Sequence, residues 1–317
     1  MTAVIATLSD RRGGWASATP AERAVAFILV ALMLGASGYL LPFWRESPEL
    51  SHGYFAPLAA VALLWQSRRE PNHASPWSRS WRNTVVGVVA LCGFGVAVVA
   101  ALAALAQGPL HSQTAFLAGQ LVAIFTASTV LVLAAGPDPL VKVNGASAGA
   151  AALWWFSVPL PSGTLSRITL MLQDAITAGS LHAVHLFGIP ATREGNIIHL
   201  ATTLVGVEEA CSGIRSLTAC LFAGVVLGGL MLTGFPRRLL LVIAAGAIAV
   251  AANFVRSVSL CLMAAHDIRV QGFWHDATAF AVLGATAAIL FAGCVALAPK
   301  DAPVLPRWPA SPQQRHR

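Results

Sequence analysis

A thiol and a guanidinium stand four residues apart in the stretch Val207-Glu208-Glu209-Ala210-Cys211-Ser212-Gly213-Ile214-Arg215, where a polar loop enters a long apolar segment. Two more ionisable residues occupy comparable places downstream: Arg256 near the end of one apolar run and His275 just before the next. Ionisable side chains at such depth are costly and mark functional sites. A cysteine, an arginine and a histidine are sufficient parts for acyl transfer: a nucleophile, a cation for the developing oxyanion and a proton carrier.

Each residue has a bland reading beside the chemical one. The chain has five cysteines, and Cys92, Cys220, Cys261 and Cys294 lie inside apolar runs, where cysteine is a small core residue. Cys211 differs because its neighbours are polar. At the start of a helix it feels the positive end of the dipole, which favours thiolate. Ser212 and Gly213 can turn the backbone and offer amides to an oxyanion, and Arg215 falls on the same helix face as Cys211. Arg256 is either a structural, outward-snorkelling arginine or a cation for the thiolate and oxyanion. Asn253, three residues earlier, adds a polar strip on its face. His275, between Trp274 and Asp276, reads as an interfacial histidine or as the acid–base group, its ordinary pKa being about 6.5. His52 could position substrate or simply pack. Glu208 and Glu209 either orient Arg215 or cap the helix in solvent. The other histidines have no metal-ligand spacing beyond a loose His182–His185 pair, no CxxC pair occurs, and neither metal nor cofactor is expected.

These groups need elements to hold them. Of 317 residues 56% are hydrophobic and 10% charged, against roughly 25% charged in soluble domains. The composition predicts an all-α fold, a polytopic membrane helix bundle of about eight spans near 24–41, 53–66, 84–106, 114–135, 140–160, 212–234, 237–262 and 276–298. The second is short, and the fifth carries Lys142 and Asn144 near its start. The net charge of +7 is spread between apolar segments rather than gathered in one tract, so it reads as a topology signal and not as a nucleic-acid surface.

With the N-terminus inside, 14 of the 20 Lys and Arg residues fall in inner loops, which predicts N-in, C-in. Cys211, Arg256 and His275 then share the outer side. Residues 1–23 read as a cytoplasmic tail, 24–298 as the membrane domain and 299–317 as a disordered, Pro-rich cytoplasmic tail. The first apolar run is too long for a cleavable signal core. Between spans five and six, segment 161–211 reads as an outer cap. Leu165, Ile168, Leu172, Ile176 and Leu181 recur at helical spacing, predicting an interfacial helix. Gly188-Ile189-Pro190 marks a turn, and Asn196–Val207 suits a short hairpin.

Taken together, the chain resembles the exosortase/archaeosortase family of membrane cysteine transpeptidases. The resemblance rests on Ser51-His52-Gly53 with Pro57, Leu64-Trp65 and Arg68-Arg69; on Val158-Pro159-Leu160-Pro161; on Gly188-Ile189-Pro190 with Arg193-Glu194-Gly195; on Ala210-Cys211-Ser212-Gly213-Ile214-Arg215; on Asn253-Phe254-Val255-Arg256; and on His275. It implies Cys211 as nucleophile, Arg256 as the essential arginine and His275 as third member, the histidine pointing to the bacterial exosortase branch. It further implies an inner-membrane enzyme of a Gram-negative bacterium, with a periplasm-facing site. Its substrates would be C-terminal sorting tails (a Pro-Glu-Pro-like motif, one transmembrane helix and a basic end), with water or an amine or lipid as acceptor. Supporting or substrate-binding roles would fall to Arg215, Ser212, Gly213, Asn253, His52 and Glu209. Two other readings compete. Glu208-Glu209 with Arg215 is similar to the Glu-Glu-x-x-x-Arg motif of the CAAX-type membrane proteases, but the spacing is five rather than three. A transporter or polysaccharide-export component could also line a path with Arg256 and Asn253, although no inverted repeat is visible.

Overall fold

The computed structural model describes residues 18–74, 77–135, 139–201, 203–206, 213–268 and 273–298. Among them the helices are α1 (Pro20–Glu46), a 3-10 helix (Pro48–Phe55), α2 (Ala56–Ser67), α3 (Arg79–Gln107), α4 (Ser112–Leu133), α5 (Gly145–Phe156), α6 (Ser162–Leu186), α7 (Ile214–Met231), α8 (Phe235–Ala265) and α9 (Phe273–Leu297). Their starts follow from local chemistry. Thr19 caps α1 in a capping box with Glu22, with Pro20 in the first turn, and Asn144 caps α5 through the amides of Ala146 and Ser147.

Six of these helices are long and apolar enough to cross a membrane: α1, α3, α4, α7, α8 and α9. They coincide with the first, third, fourth, sixth, seventh and eighth predicted spans, and the all-α polytopic bundle stands. The second and fifth predicted spans become α2 and α5, each 12 residues long. At 1.5 Å per residue each is about 18 Å, short of the ~30 Å hydrocarbon core. They are tolerated because they face protein. Ala60 and Leu63 of α2 and Ala150, Leu153 and Trp154 of α5 are buried in one cluster with Leu29, Met33 and Leu40 of α1, Ala123 of α4 and Phe222 of α7. By contrast, α3 keeps nearly all its surface outward.

The hairpin predicted over 196–207 forms, and a further strand joins it. Three strands form an antiparallel meander: β1 (Ala191–Glu194), β2 (Ile197–Leu200) and β3 (Leu204–Gly206), with Thr192 opposite His199 and Ile198 opposite Val205. Ile198 of β2 and Val205 of β3 face each other on one buried face, and β1 pairs along the other edge of β2. The amphipathic helix predicted from residue 161 is α6. Its Ile176 and Val184 pack with Ile198, Leu200 and Val205 against Leu260, Cys261 and Ala264 of α8. Helix α8 has 31 residues, hence about 46 Å, longer than a ~30 Å hydrocarbon core requires. Its last turns are the pillar of the cap.

The other end of the bundle is tied by a polar knot. Arg238 of α8 pairs with Glu70, and both side chains are 8% exposed. Arg238 also donates to the carbonyls of Gly228 (3.1 Å) and Leu232 (2.6 Å). Asn144 donates to the Ser67 carbonyl at 2.7 Å, and Asn72 accepts from the Val143 amide at 3.1 Å. These bonds close the ends of α2 and α7 against the starts of α5 and α8.

Candidate active site

The site end of the bundle is where α1, α5 and α8 finish and where α7 and α9 begin. Gly213 immediately precedes α7, and a Cβ built on it would lie 2.7 Å from Nδ2 of Asn253. The start of α7 is therefore in van der Waals contact with α8, one turn before Arg256. Only a glycine permits so close an approach here. Asn253 is buried and Arg256, three residues on, is half-buried. The predicted polar strip on α8 thus faces the bundle. It continues into Ser257, whose hydroxyl is 2.9 Å from that of Ser180 on α6.

The other predicted residues are placed as follows. Arg215 lies in the first turn of α7 and is exposed. The backbone of His275 lies in the first turn of α9, at the same end of the bundle as Gly213 and Arg256; its side chain is outside the described residues. Cys211, Ser212, Glu208 and Glu209 also lie outside the described residues. His52 sits in the 3-10 helix. Its Nε2 is 2.6 Å from the Phe156 carbonyl, and its ring centroid is 4.9 Å from that of Phe222. Burial pushes its pKa down, opposed by the hydrogen bond to Phe156. In these contacts His52 clasps the end of α5.

Sequence reasoning missed three parts of this wall. Trp44 donates from Nε1 to the Ser157 carbonyl at 2.7 Å, and its indole occupies the space a side chain at position 53 would need. That explains the glycine of the Ser-His-Gly motif by close approach. Thr218 of α7 donates to the Glu49 carbonyl at 2.9 Å, tying the start of α7 to the 3-10 helix. Ser180 belongs to a buried polar stripe on α6, Gln173, Thr177 and Ser180. Its i, i+4, i+7 spacing was a readable signal that α6 presents a polar face to protein.

The cap is fixed to α6 by polar contacts. Arg193 pairs with Asp174 and donates from Nε to the Gly195 carbonyl at 2.6 Å, and Asn196 donates to Gln173 at 3.2 Å. The Arg193-Glu194-Gly195 turn is therefore an anchor of the cap. Beneath α6, a largely apolar cavity of about 440 Å³ lies between the 3-10 helix, α4, the end of α5 and the first turns of α7. No cluster of metal-binding side chains occurs among the described residues.

Gly213 before α7, the Asn253–Arg256 strip on α8 and the backbone of His275 in the first turn of α9 thus lie at one end of a helical membrane bundle. A search of curated proteins and one of solved structures return no match. The family model described as transmembrane exosortase, however, matches residues 44–292, from the buried Trp44 through the outer cap to α9. The chain belongs to the transmembrane exosortase family.

Proposed function

We propose that this multi-pass membrane protein is a cysteine peptidase or transpeptidase that removes C-terminal sorting tails from exported proteins. The observation that carries the reading is the contact between Gly213 and Asn253. Chain connectivity keeps residue 211 within about 7 Å of Gly213. Arg256 lies one turn beyond Asn253. The packed contact between α7 and α8 supports a nucleophile two residues before Gly213 acting in one neighbourhood with a cation on α8.

In this reading the Cys211 thiolate attacks a backbone carbonyl of the tail, and Arg256 and amides near Gly213 stabilise the oxyanion. His275 protonates the leaving amine and then activates the acceptor. The proposal includes an N-in, C-in orientation in the inner membrane of a Gram-negative bacterium, with the site on the periplasmic side and residues 1–23 and 299–317 as cytoplasmic tails. The bias of Lys and Arg toward the inner loops supports that orientation.

The test is co-expression with an epitope-tagged tail protein. Wild type should release the tail, and Cys211→Ala, Arg256→Ala and His275→Ala should not, at equal protein levels. Tail loss that persists in Cys211→Ala would sink the mechanism.

A further inference from the structure

The three-stranded cap has two edges, and only one of them is closed. Ile198 stands opposite Val205, and in the same register the Leu200 amide donates to the Thr203 carbonyl at 2.9 Å. Bonded and non-bonded pairs alternate along an antiparallel ladder. Val205 therefore turns its amide and carbonyl toward β2, while Leu204 and Gly206 turn theirs away. By the same alternation Ala191 and Arg193 of β1 turn theirs to the other edge. That edge lies against α6, with the Ala191 carbonyl 2.9 Å from Nε2 of His185 and the Arg193 side chain paired with Asp174. On the β3 edge, no described residue bonds the outward amides and carbonyls of Leu204 and Gly206. Leu204 is 60% exposed, and a Cβ built on Gly206 would meet nothing within 4 Å. Proteins blunt exposed edges with charge, proline or a covering element. Leu204-Val205-Gly206 carries no charge and no proline. Three residues are too few to recruit another sheet, but two donors and two acceptors about 7 Å apart match an extended peptide.

We infer that β3 is the docking edge for the tail, whose extended segment ahead of its membrane helix adds to the cap as a fourth strand. This occupant rests on the tail-cutting reading above; the open edge does not. Chain connectivity argues for it. β3 ends five residues before Cys211, so the thiol lies no more than about 18 Å from Gly206. A peptide bond presented to a nucleophile must have its backbone accessible, and strand addition holds a peptide by alternate backbone groups while leaving the rest of its length free. It also fixes register, which brings one carbonyl to the nucleophile rather than any of several. Side chains on the outer face of the added strand would pass Leu204 and the space beside Gly206, which favours an apolar residue next to a bulky one.

The experiment measures binding of the epitope-tagged tail protein to the full chain carrying Cys211→Ala in vesicles. Leu204→Pro removes one outward N–H and spares the bonds to β2, a place where an edge strand tolerates proline. It should weaken binding about fivefold, the worth of one backbone hydrogen bond, with little change in melting temperature. Val205→Pro, which breaks the ladder itself, should lower the melting temperature. A second arm leaves the enzyme untouched: ester-for-amide replacements along the segment ahead of the tail's membrane helix, made by semisynthesis. Losses of about fivefold at alternate positions are expected, with near-parent binding between them. Esters that act uniformly or not at all overturn the strand addition, as does parent-level binding in Leu204→Pro. A tail-independent dimer that Leu204→Pro dissolves would give the edge to a second copy and overturn the assignment. Absence of cysteine-dependent cleavage by the wild-type chain overturns the tail-cutting reading, while the ester pattern in binding still decides the edge.

Discussion

Gly213→Ala is the sharpest perturbation of the proposed site, because it adds one methyl group at the packed contact. The backbone at Gly213 is right-handed helical, φ −44° and ψ −16°. Alanine can adopt that backbone, although at an N-cap position glycine is the better residue by a small margin. The added methyl would lie 2.7 Å from Asn253 Nδ2, while ordinary contact begins near 3.4 Å, so one partner must recede by about 0.7 Å. Asn253 is 4% exposed and has little room. Overpacking of this kind costs ~1–3 kcal/mol, and displacement of reacting groups by ~1 Å costs on the order of 10²-fold in rate. The expected outcome is 10- to 100-fold slower tail release, on the order of those principles, with a modest change in melting temperature. The assay is single-turnover release of a tagged tail in membranes, normalised to folded enzyme. Asn253→Ala in the same chain removes the clash, and the double variant should be faster than Gly213→Ala alone if Asn253 is not itself needed for turnover, a coupling a thermodynamic cycle isolates. Wild-type turnover in Gly213→Ala would refute the claim that this contact sets the site.

Other outcomes follow from the same geometry. Removing one partner of the buried Arg238–Glu70 pair should cost ~3–5 kcal/mol, whereas Glu70→Leu with Arg238→Met should be milder than either single change; thermal unfolding in detergent checks both. Arg238→Met is expected to be the gentler single change, because a lone Glu70 can take a proton whereas a lone Arg238 stays charged. Asp174→Ala breaks a pair that is 70% exposed on the acidic side, so stability should shift by under ~1 kcal/mol, less at high salt. For His52, burial depresses the folded-state pKa, so the unfolded chain binds the extra proton first. Its contribution is intact above about pH 6.5 and is lost as pH falls below that toward the depressed folded value. Melting temperature should therefore fall with acidification in wild type and fall less in His52→Gln.

How much was legible in the sequence depended on how local the cause was. The long helices were readable because apolar length alone decides whether a segment can span. The two short ones were not. Residues 53–66 and 140–160 look like weak spans, and nothing in their own composition says that α1, α4 and α7 replace lipid around them. The cysteine loop, Asn253 and Arg256 were legible because polar residues are conspicuous in an apolar sequence. The close approach of Gly213 to Asn253 was not, since it depends on a missing side chain at Gly213. The role of Trp44 was hidden for the same reason, because an aromatic in an apolar segment reads as generic core until its partner carbonyl, Ser157, is seen 113 residues away. The added strand β1 escaped because Ala191–Glu194 holds a single apolar residue, too little for alternation to register.

Helix α8 carries these separate facts into one mechanical unit. Its start is fixed by Arg238 in the polar knot, Asn253 and Arg256 lie further along, and its last turns are the core of the cap through Leu260, Cys261 and Ala264. The catalytic role proposed for Arg256 would need a rigid mount, because a side chain that long loses precision if its backbone shifts. Fixing the helix at both ends provides that mount without crowding the site itself. The Ser180–Ser257 bond then matters in a way its ~1 kcal/mol does not convey, since it joins the roof helix to the residue next to Arg256. A tail that displaces α6 as it enters would be sensed at Arg256 through that hydroxyl pair. Ser180→Ala should accordingly lower kcat more than it lowers stability.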